Sequence, residues 1–235
     1  MPLIPKVIYQ TWKTKNLEPK IEKVRNNIQK INPDYKIVLF DDDDIEIWIK
    51  ENFDDEIIWN TYKKLKVGAA RADFWRYLIL YKNGGIYLDI DSNITQSLDL
   101  LIRENDSAII SREKNSGYFN FLQWCLMFSP KHPVLLRTIN LCIFNINNKT
   151  SLWLPSLTGP VVFTNAINYV LKNKIKMEKI INFYHFPDNK LNVLSENFIR
   201  FYGFDYENFC KYDNECKDLI LKDSIHWKND KEVFN

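Results

Sequence analysis

At 235 residues the chain has room for one sizeable core, and 46% hydrophobic, 14% aromatic and 26% charged residues exclude a disordered polymer. A formal net charge of +2, with acids and bases interspersed, excludes the charge footprint of a nucleic-acid binder. No apolar run nears the ~20 residues that cross a bilayer, and strand-like residues begin almost at Met1. The expectation is therefore a soluble protein with no leader or membrane anchor visible, cytoplasmic or else a trimmed domain, forming one domain over residues 1–235.

Four cysteines, Cys125, Cys142, Cys210 and Cys216, lack the paired spacing of a zinc site. Cys125 and Cys142 lie in apolar segments and read as buried thiols. Cys210 and Cys216 are close enough in sequence to pair, but a chain of this size needs no staple, and a reducing compartment is favoured.

In chain order, Ile4 to Trp12 reads as an opening strand, with proline tolerated at its start. Pro19 to Ile31 reads as a helix closed by Asn32-Pro33, and Tyr35 to Phe40 as a second strand. The run Asp41-Asp42-Asp43-Asp44 invites a metal reading. Acids before Ile45 and Ile47 are also what a helix N-terminus takes as cap and dipole partners, and capping is the preferred reading. Helices follow over Ile45–Asn52 and Asp55–Leu65, with Trp48, Phe53 and Trp59 packing inward.

The densest signal runs from Ala69 to Asp91. Ala70, Phe74, Tyr77, Leu78 and Tyr81 follow the spacing of a helix face laid on a core. Asn83-Gly84-Gly85 stops that helix, because glycine takes a left-handed cap cheaply. Ile86-Tyr87-Leu88 is then a short buried strand ending in Asp89 and Asp91, which project to the same side of an extended backbone. Two such carboxylates repel unless a cation lies between them, and a hard divalent ion with open positions also holds diphosphate oxygens. Asp73 and Arg76, three apart, share a helix face. An exposed pair of this kind is worth only ~0.3–0.5 kcal/mol, so the expectation is binding rather than stability.

Further on, Ser107 to Ser111 reads as a strand and Val134 to Ile146 as a helix. Asn120 reads as a cap for the next element. His132, before Pro133, reads as a helix-start feature. Thr158 precedes the turn Gly159-Pro160 and reads as a donor to an acceptor or as a cap. Phe183 to Pro187 reads as a late strand with His185 structural. Ser195 to Lys222 is aromatic, charged and aperiodic, and reads as acceptor-binding surface or as plain helical cover.

The run Tyr81-Lys82-Asn83-Gly84-Gly85-Ile86-Tyr87-Leu88-Asp89-Ile90-Asp91, with Asp73 and Arg76 upstream, resembles the core of DXD glycosyltransferases of family 32. That family includes initiating mannosyltransferases and inositol-phosphoceramide mannosyltransferases, and its core is related to that of the glucosylating clostridial toxins. Ile4-Pro5-Lys6-Val7-Ile8-Tyr9-Gln10-Thr11-Trp12 resembles the family's first strand, with Tyr9 where the family has histidine. The resemblance implies a glycosyltransferase A fold: an α/β domain with a Rossmann-like, mostly parallel central sheet flanked by helices.

It also implies roles. Asp89 and Asp91 hold Mn²⁺ or Mg²⁺, and His226 is the third ligand. Asp73 and Arg76 bind the donor sugar, and Asn120 is equally a sugar ligand or that cap. Gln10, Thr11 and Trp12 lie along the nucleotide, with Trp12 stacked on the base. Ser224, Trp227 and Lys228 close the diphosphate end. The implied reaction is retaining hexosyl transfer from a UDP- or GDP-sugar to a glycan, lipid or protein acceptor. Two other classes stand beside it: a nucleotide-sugar or glycan binder without turnover, and a metal-dependent phosphodiesterase, which would want more clustered acids and histidines.

Overall fold

A computed structural model describes residues 2–111, 120–173, 199–202, 210–212 and 233–234 of the chain. The elements run β1 (Val7–Thr11), α1 (Pro19–Ile31), β2 (Lys36–Phe40), α2 (Asp42–Asn52), α3 (Glu56–Lys63), α4 (Gly68–Asn83), β3 (Gly85–Leu88) and β4 (Ser92–Ile94). Then follow β5 (Ala108–Ser111), β6 (Cys125–Phe128), α5 (Pro133–Asn147), α6 (Leu154–Leu157), α7 (Pro160–Asn173), β7 (Ile199–Tyr202) and β8 (Cys210–Tyr212).

Six strands form one sheet in the order β2-β1-β3-β6-β5-β7, and β4 pairs with β8 in a small separate ribbon. The pairs β1–β2, β1–β3 and β5–β7 are parallel, whereas β6 runs antiparallel to both β3 and β5. The sheet is thus mixed, with parallel pairing in three of its five junctions. β7 and β8 fall inside the stretch that periodicity left unplaced.

Two apolar layers sandwich the sheet. Tyr9 and Tyr87 face the layer built by α2, α3, α4, α5 and α7, while Ile8, Ile86 and Leu88 face the side that carries Ile28 of α1 and Leu98. Alternation along β1 and β3 produces this division. α4 is the central support: every residue from Asp73 to Tyr81 is buried. The one-faced pattern read from the sequence is therefore only part of its burial, because α4 is enclosed by sheet and helices alike.

Local chemistry places the ends. Asp41 caps α2 by accepting from the Asp44 amide (2.9 Å), and Asp44 reciprocates to the Asp41 amide (3.2 Å), a capping box that accounts for the acidic run. Gly84 ends α4 at φ 65°, and a β-carbon there would lie 2.7 Å from Pro130. Gly85 follows at φ 102°, where a β-carbon would lie 2.8 Å from the Val7 carbonyl of β1. The double glycine thus turns the chain and lets β3 approach β1 closely. His132 caps α5, its Nδ1 accepting from the Val134 amide (3.2 Å), and burial pulls the imidazole down to about 3, so it is neutral.

Candidate active site

The parallel strands β1, β2 and β3 end together at Thr11, Phe40 and Leu88, the edge at which open α/β sheets bind ligands. Asp89, one residue past β3, is anchored by its amide to the Trp124 carbonyl (2.8 Å). Asp89 and Asp91 are half-buried on either side of the buried Ile90. Ile90 packs with Leu17, Ile21 and Trp12, so the tryptophan at the end of β1 lies against the turn that carries both aspartates.

Across the sheet edge, α4 brings Asp73 and Arg76 to Asp89. The Arg76 Nη2 lies 3.2 Å from Asp73 Oδ1 and 3.3 Å from Asp89 Oδ1, and its guanidinium stacks 4.5 Å from the Tyr87 ring centroid. Its Nη1 donates to the Gln123 carbonyl (2.9 Å). The Tyr87 hydroxyl donates to Asp89 Oδ1 (2.8 Å). Gln123 closes the group: its Nε2 donates to Asp73 Oδ1 (2.7 Å) and its Oε1 accepts from the Tyr77 hydroxyl (2.7 Å). Thr158 Oγ1 donates to Asp73 Oδ2 (3.0 Å).

Asp73 and Arg76 are 6% and 5% exposed, which corrects the expectation of a weak surface pair: removing either leaves a buried partner charge. Burial pushes the Asp73 carboxyl up to about 6, opposed by Arg76, Thr158 and Gln123. Burial also raises Asp89, against the pull of Arg76 and the Tyr87 hydroxyl. Burial holds the Tyr77 and Tyr87 phenols far above their ordinary range, so both remain donors.

The carboxylate set suits a hard divalent cation. Asp89 Oδ1 is engaged by Arg76 and Tyr87, and its side chain keeps 27% exposure. Asp91 is half-buried on the same turn. Those two residues offer carboxylate oxygens to the implied metal, while no group of three or more histidine, cysteine, aspartate or glutamate side chains that could hold an ion gathers among the described residues. His226, Ser224, Trp227 and Lys228 lie outside the described residues, as does His185. Gln10 is fully buried in β1, and neither its Nε2 nor its Oε1 has a hydrogen-bond partner among the described residues. Thr11 ends β1, half-buried, and Trp12 donates its amide to the Phe40 carbonyl (3.1 Å). Asn120 is half-buried.

Sequence reasoning singled out the charged members but missed Gln123. No motif marks a lone glutamine after an apolar run. Its partner Tyr77 is 46 residues away in sequence, so only the pairing of β3 with β6 brings them together.

The mixed sheet flanked by helices is a glycosyltransferase A-like fold, and part of the chain is similar to a family of sugar-binding regions. Residues 19–108 match the family described as "Glycosyltransferase sugar-binding region containing DXD motif". Among curated relatives, inositol phosphoceramide mannosyltransferase 3 of Schizosaccharomyces pombe is 35% identical over 147 residues, covering 61% of this chain and 39% of that protein. An uncharacterised glycosyltransferase of Acanthamoeba polyphaga mimivirus is 26% identical, covering 93% of this chain and 81% of that protein. Mannosyl phosphorylinositol ceramide synthase CSH1 of Saccharomyces cerevisiae is 32% identical over 58% of this chain and 35% of that protein. The chain thus spans well under half the length of both fungal relatives. The solved structure of the PaToxG glycosyltransferase shares the fold, with a TM-score of 0.59 at 22% identity over 76% of this chain and 73% of that one. Among the described residues, no helix is long and apolar enough to cross a membrane.

Proposed function

We propose that the chain is a metal-dependent, retaining glycosyltransferase that moves a hexose from a UDP- or GDP-sugar to a glycan, lipid or protein acceptor. The observation that carries this reading is the Arg76 guanidinium, held between Asp73 and Asp89 where the parallel strands end. A fork of fixed donors beside two carboxylates suits a polyhydroxylated sugar that bears a diphosphate. The fungal relatives' names make a mannosyl donor and a phosphoinositol-lipid acceptor the first to try.

Asp73 Oδ2 has the Thr158 hydroxyl as donor and a remaining lone pair for a sugar hydroxyl. Arg76 orients the same ring and compensates charge beside the leaving group. Trp12, packed on Ile90, offers a flat face for the base next to the aspartate turn. Asp89 and Asp91 would hold Mn²⁺ or Mg²⁺, which supplies Lewis-acid neutralisation of the leaving diphosphate when bound.

The test is incubation with a panel of nucleotide sugars with and without Mn²⁺. Metal-stimulated release of nucleoside diphosphate is expected. Release of monophosphate would point to a phosphodiesterase, and tight binding without release to a binding protein. A thermal-shift screen of UDP- and GDP-sugars identifies the donor, because a ligand bound only by the folded state raises the melting midpoint.

A further inference from the structure

Gln123 lies just before β6, half-buried, on backbone that is fixed on both sides. The Leu122 amide donates to the Ser111 carbonyl (2.8 Å), and the Trp124 carbonyl accepts from the Asp89 amide (2.8 Å). The residue holds both members of the buried ion pair. Its main-chain carbonyl accepts from Arg76 Nη1 (2.9 Å), and its side-chain Nε2 donates to Asp73 Oδ1 (2.7 Å). A substitution at 123 therefore removes the bond to Asp73 and leaves the bond to Arg76.

A carboxamide can turn either end to a neighbour, and its partners decide which. The Tyr77 phenol has one proton and two acceptors within reach, Gln123 Oε1 at 2.7 Å and the Thr158 carbonyl at 3.1 Å. Given to Gln123, the proton pins Oε1 and turns Nε2 toward Asp73. The Thr158 carbonyl then keeps the Cys142 thiol, 3.9 Å away, as a weak donor. Given to Thr158, the proton would let the amide turn over and set Oε1 against Asp73 Oδ1, acceptor on acceptor. Only a protonated Asp73 tolerates that second arrangement. The shorter contact favours the first.

In the first arrangement Asp73 Oδ1 is filled by Gln123 and by Arg76 Nη2 (3.2 Å). Oδ2 takes the Thr158 hydroxyl (3.0 Å) and keeps one acceptor position open. We propose that Tyr77 and Gln123 are positioning residues: the phenol orients the amide, and the amide fixes Asp73 as an acceptor-only carboxylate. The open position on Oδ2 then selects a ligand hydroxyl over a group that only accepts. Its use on a donor sugar rests on the transferase reading; the relay from Tyr77 to Asp73 does not.

The first measurement needs no sugar. The carboxyl resonance of Asp73 is followed by NMR through a pH titration of aspartate-labelled protein. Arg76 and Asp89, the other charged groups that act on Asp73, are unchanged in every variant. Gln123→Met removes the donor at similar length and should raise the titration midpoint by about one pH unit or more. Tyr77→Phe should raise it by less, and should add nothing once Gln123 is Met, because the phenol acts only through the amide. If the Met variant fails to fold, Gln123→Glu keeps the acceptor for Tyr77 and should raise the midpoint further. A midpoint unmoved at position 123, or a Tyr77→Phe shift that persists in full without the glutamine, overturns the relay.

The second measurement is calorimetric titration, with Mn²⁺ present, of UDP-glucose and GDP-mannose against UDP and GDP. Gln123→Met should lose about tenfold in affinity for the nucleotide sugar and keep its affinity for the nucleoside diphosphate. Equal losses for both would show a general loosening of the site and would overturn the selection of a hydroxyl. A wild type that binds neither nucleotide sugar, with the Asp73 shifts present, would leave the relay standing and sink the transferase reading.

Discussion

At the sheet's carboxyl edge the charged site residues on the α4 side are bonded to one another, while Gln10 on the α1 side is not. Trp75 Nε1 of α4 is also buried with no partner among the described residues. On the α4 side, Asp73, Arg76, Tyr77, Tyr87, Gln123 and Thr158 close on one another. On the α1 side, Gln10, two residues from both Ile8 and Trp12, has no partner for its carboxamide among the described residues, and the buried Ser92 hydroxyl has none among them either. A closed network stores fixed dipoles that need no rearrangement when charge appears. An unpaired buried amide costs about 1–3 kcal/mol until a ligand's polar edge satisfies it. The first arrangement suits positioning of a sugar, and the second suits reading of a base.

The largest test of this contrast is Arg76→Leu. It strands Asp73 and Asp89 without their shared counter-charge, and unfolding free energy should fall by about 3–5 kcal/mol in a denaturant titration. Arg76→Lys should fall between wild type and this variant, because a single ammonium cannot reach Gln123, Asp73 and Asp89 together. A loss below about 1 kcal/mol for Arg76→Leu would show that the network is not closed.

Next in size is a pH effect. The folded-state pKa of Asp73, about 6, lies above its ordinary value, so the fold favours the protonated acid. Its contribution to stability is fully present below about pH 4 and is lost as pH rises through about 6, a change of about 3 kcal/mol. Asp73→Asn removes the titration. The stability difference between wild type and this variant, followed from acid to neutral pH, should change with that sign; a flat difference would mean that Asp73 is not perturbed.

On the α1 side the expectation reverses. Gln10→Leu removes an unsatisfied amide and should stabilise the fold by about 1 kcal/mol, while nucleotide-sugar affinity drops by about tenfold. Thermal melting with and without nucleotide separates the two effects. Destabilisation without loss of affinity would return Gln10 to the core.

The smallest effect on stability belongs to Asp91→Asn, about 0.5 kcal/mol or less, because the residue is half-buried on a turn. Mn²⁺ binding by isothermal titration should weaken, and metal-stimulated turnover should be lost. A variant that keeps both would remove Asp91 from the metal site.

Much of this arrangement is written locally. The α4 helix, its glycine stop, the aspartates after β3 and the caps at Asp41 and His132 follow from short-range sterics and hydrogen bonding, which the chain expresses within a few residues. So does the opening strand with Trp12 at its end. What periodicity missed is long-range. β6 reads as an apolar run and becomes an antiparallel strand only against β3, and β7 needs β5 as its parallel partner.

The burial of Asp73 and Arg76 was not legible either, because a helix position reveals its face but not what encloses the other faces. Gln123 joins the site through partners 46 and 50 residues away, a distance over which no sequence pattern operates. The sequence by itself determined which charged groups exist and on which elements they ride. Tertiary packing decided that they meet, that they are dry and which neutral side chains hold them, because desolvation and hydrogen-bond closure are properties of the assembled layers.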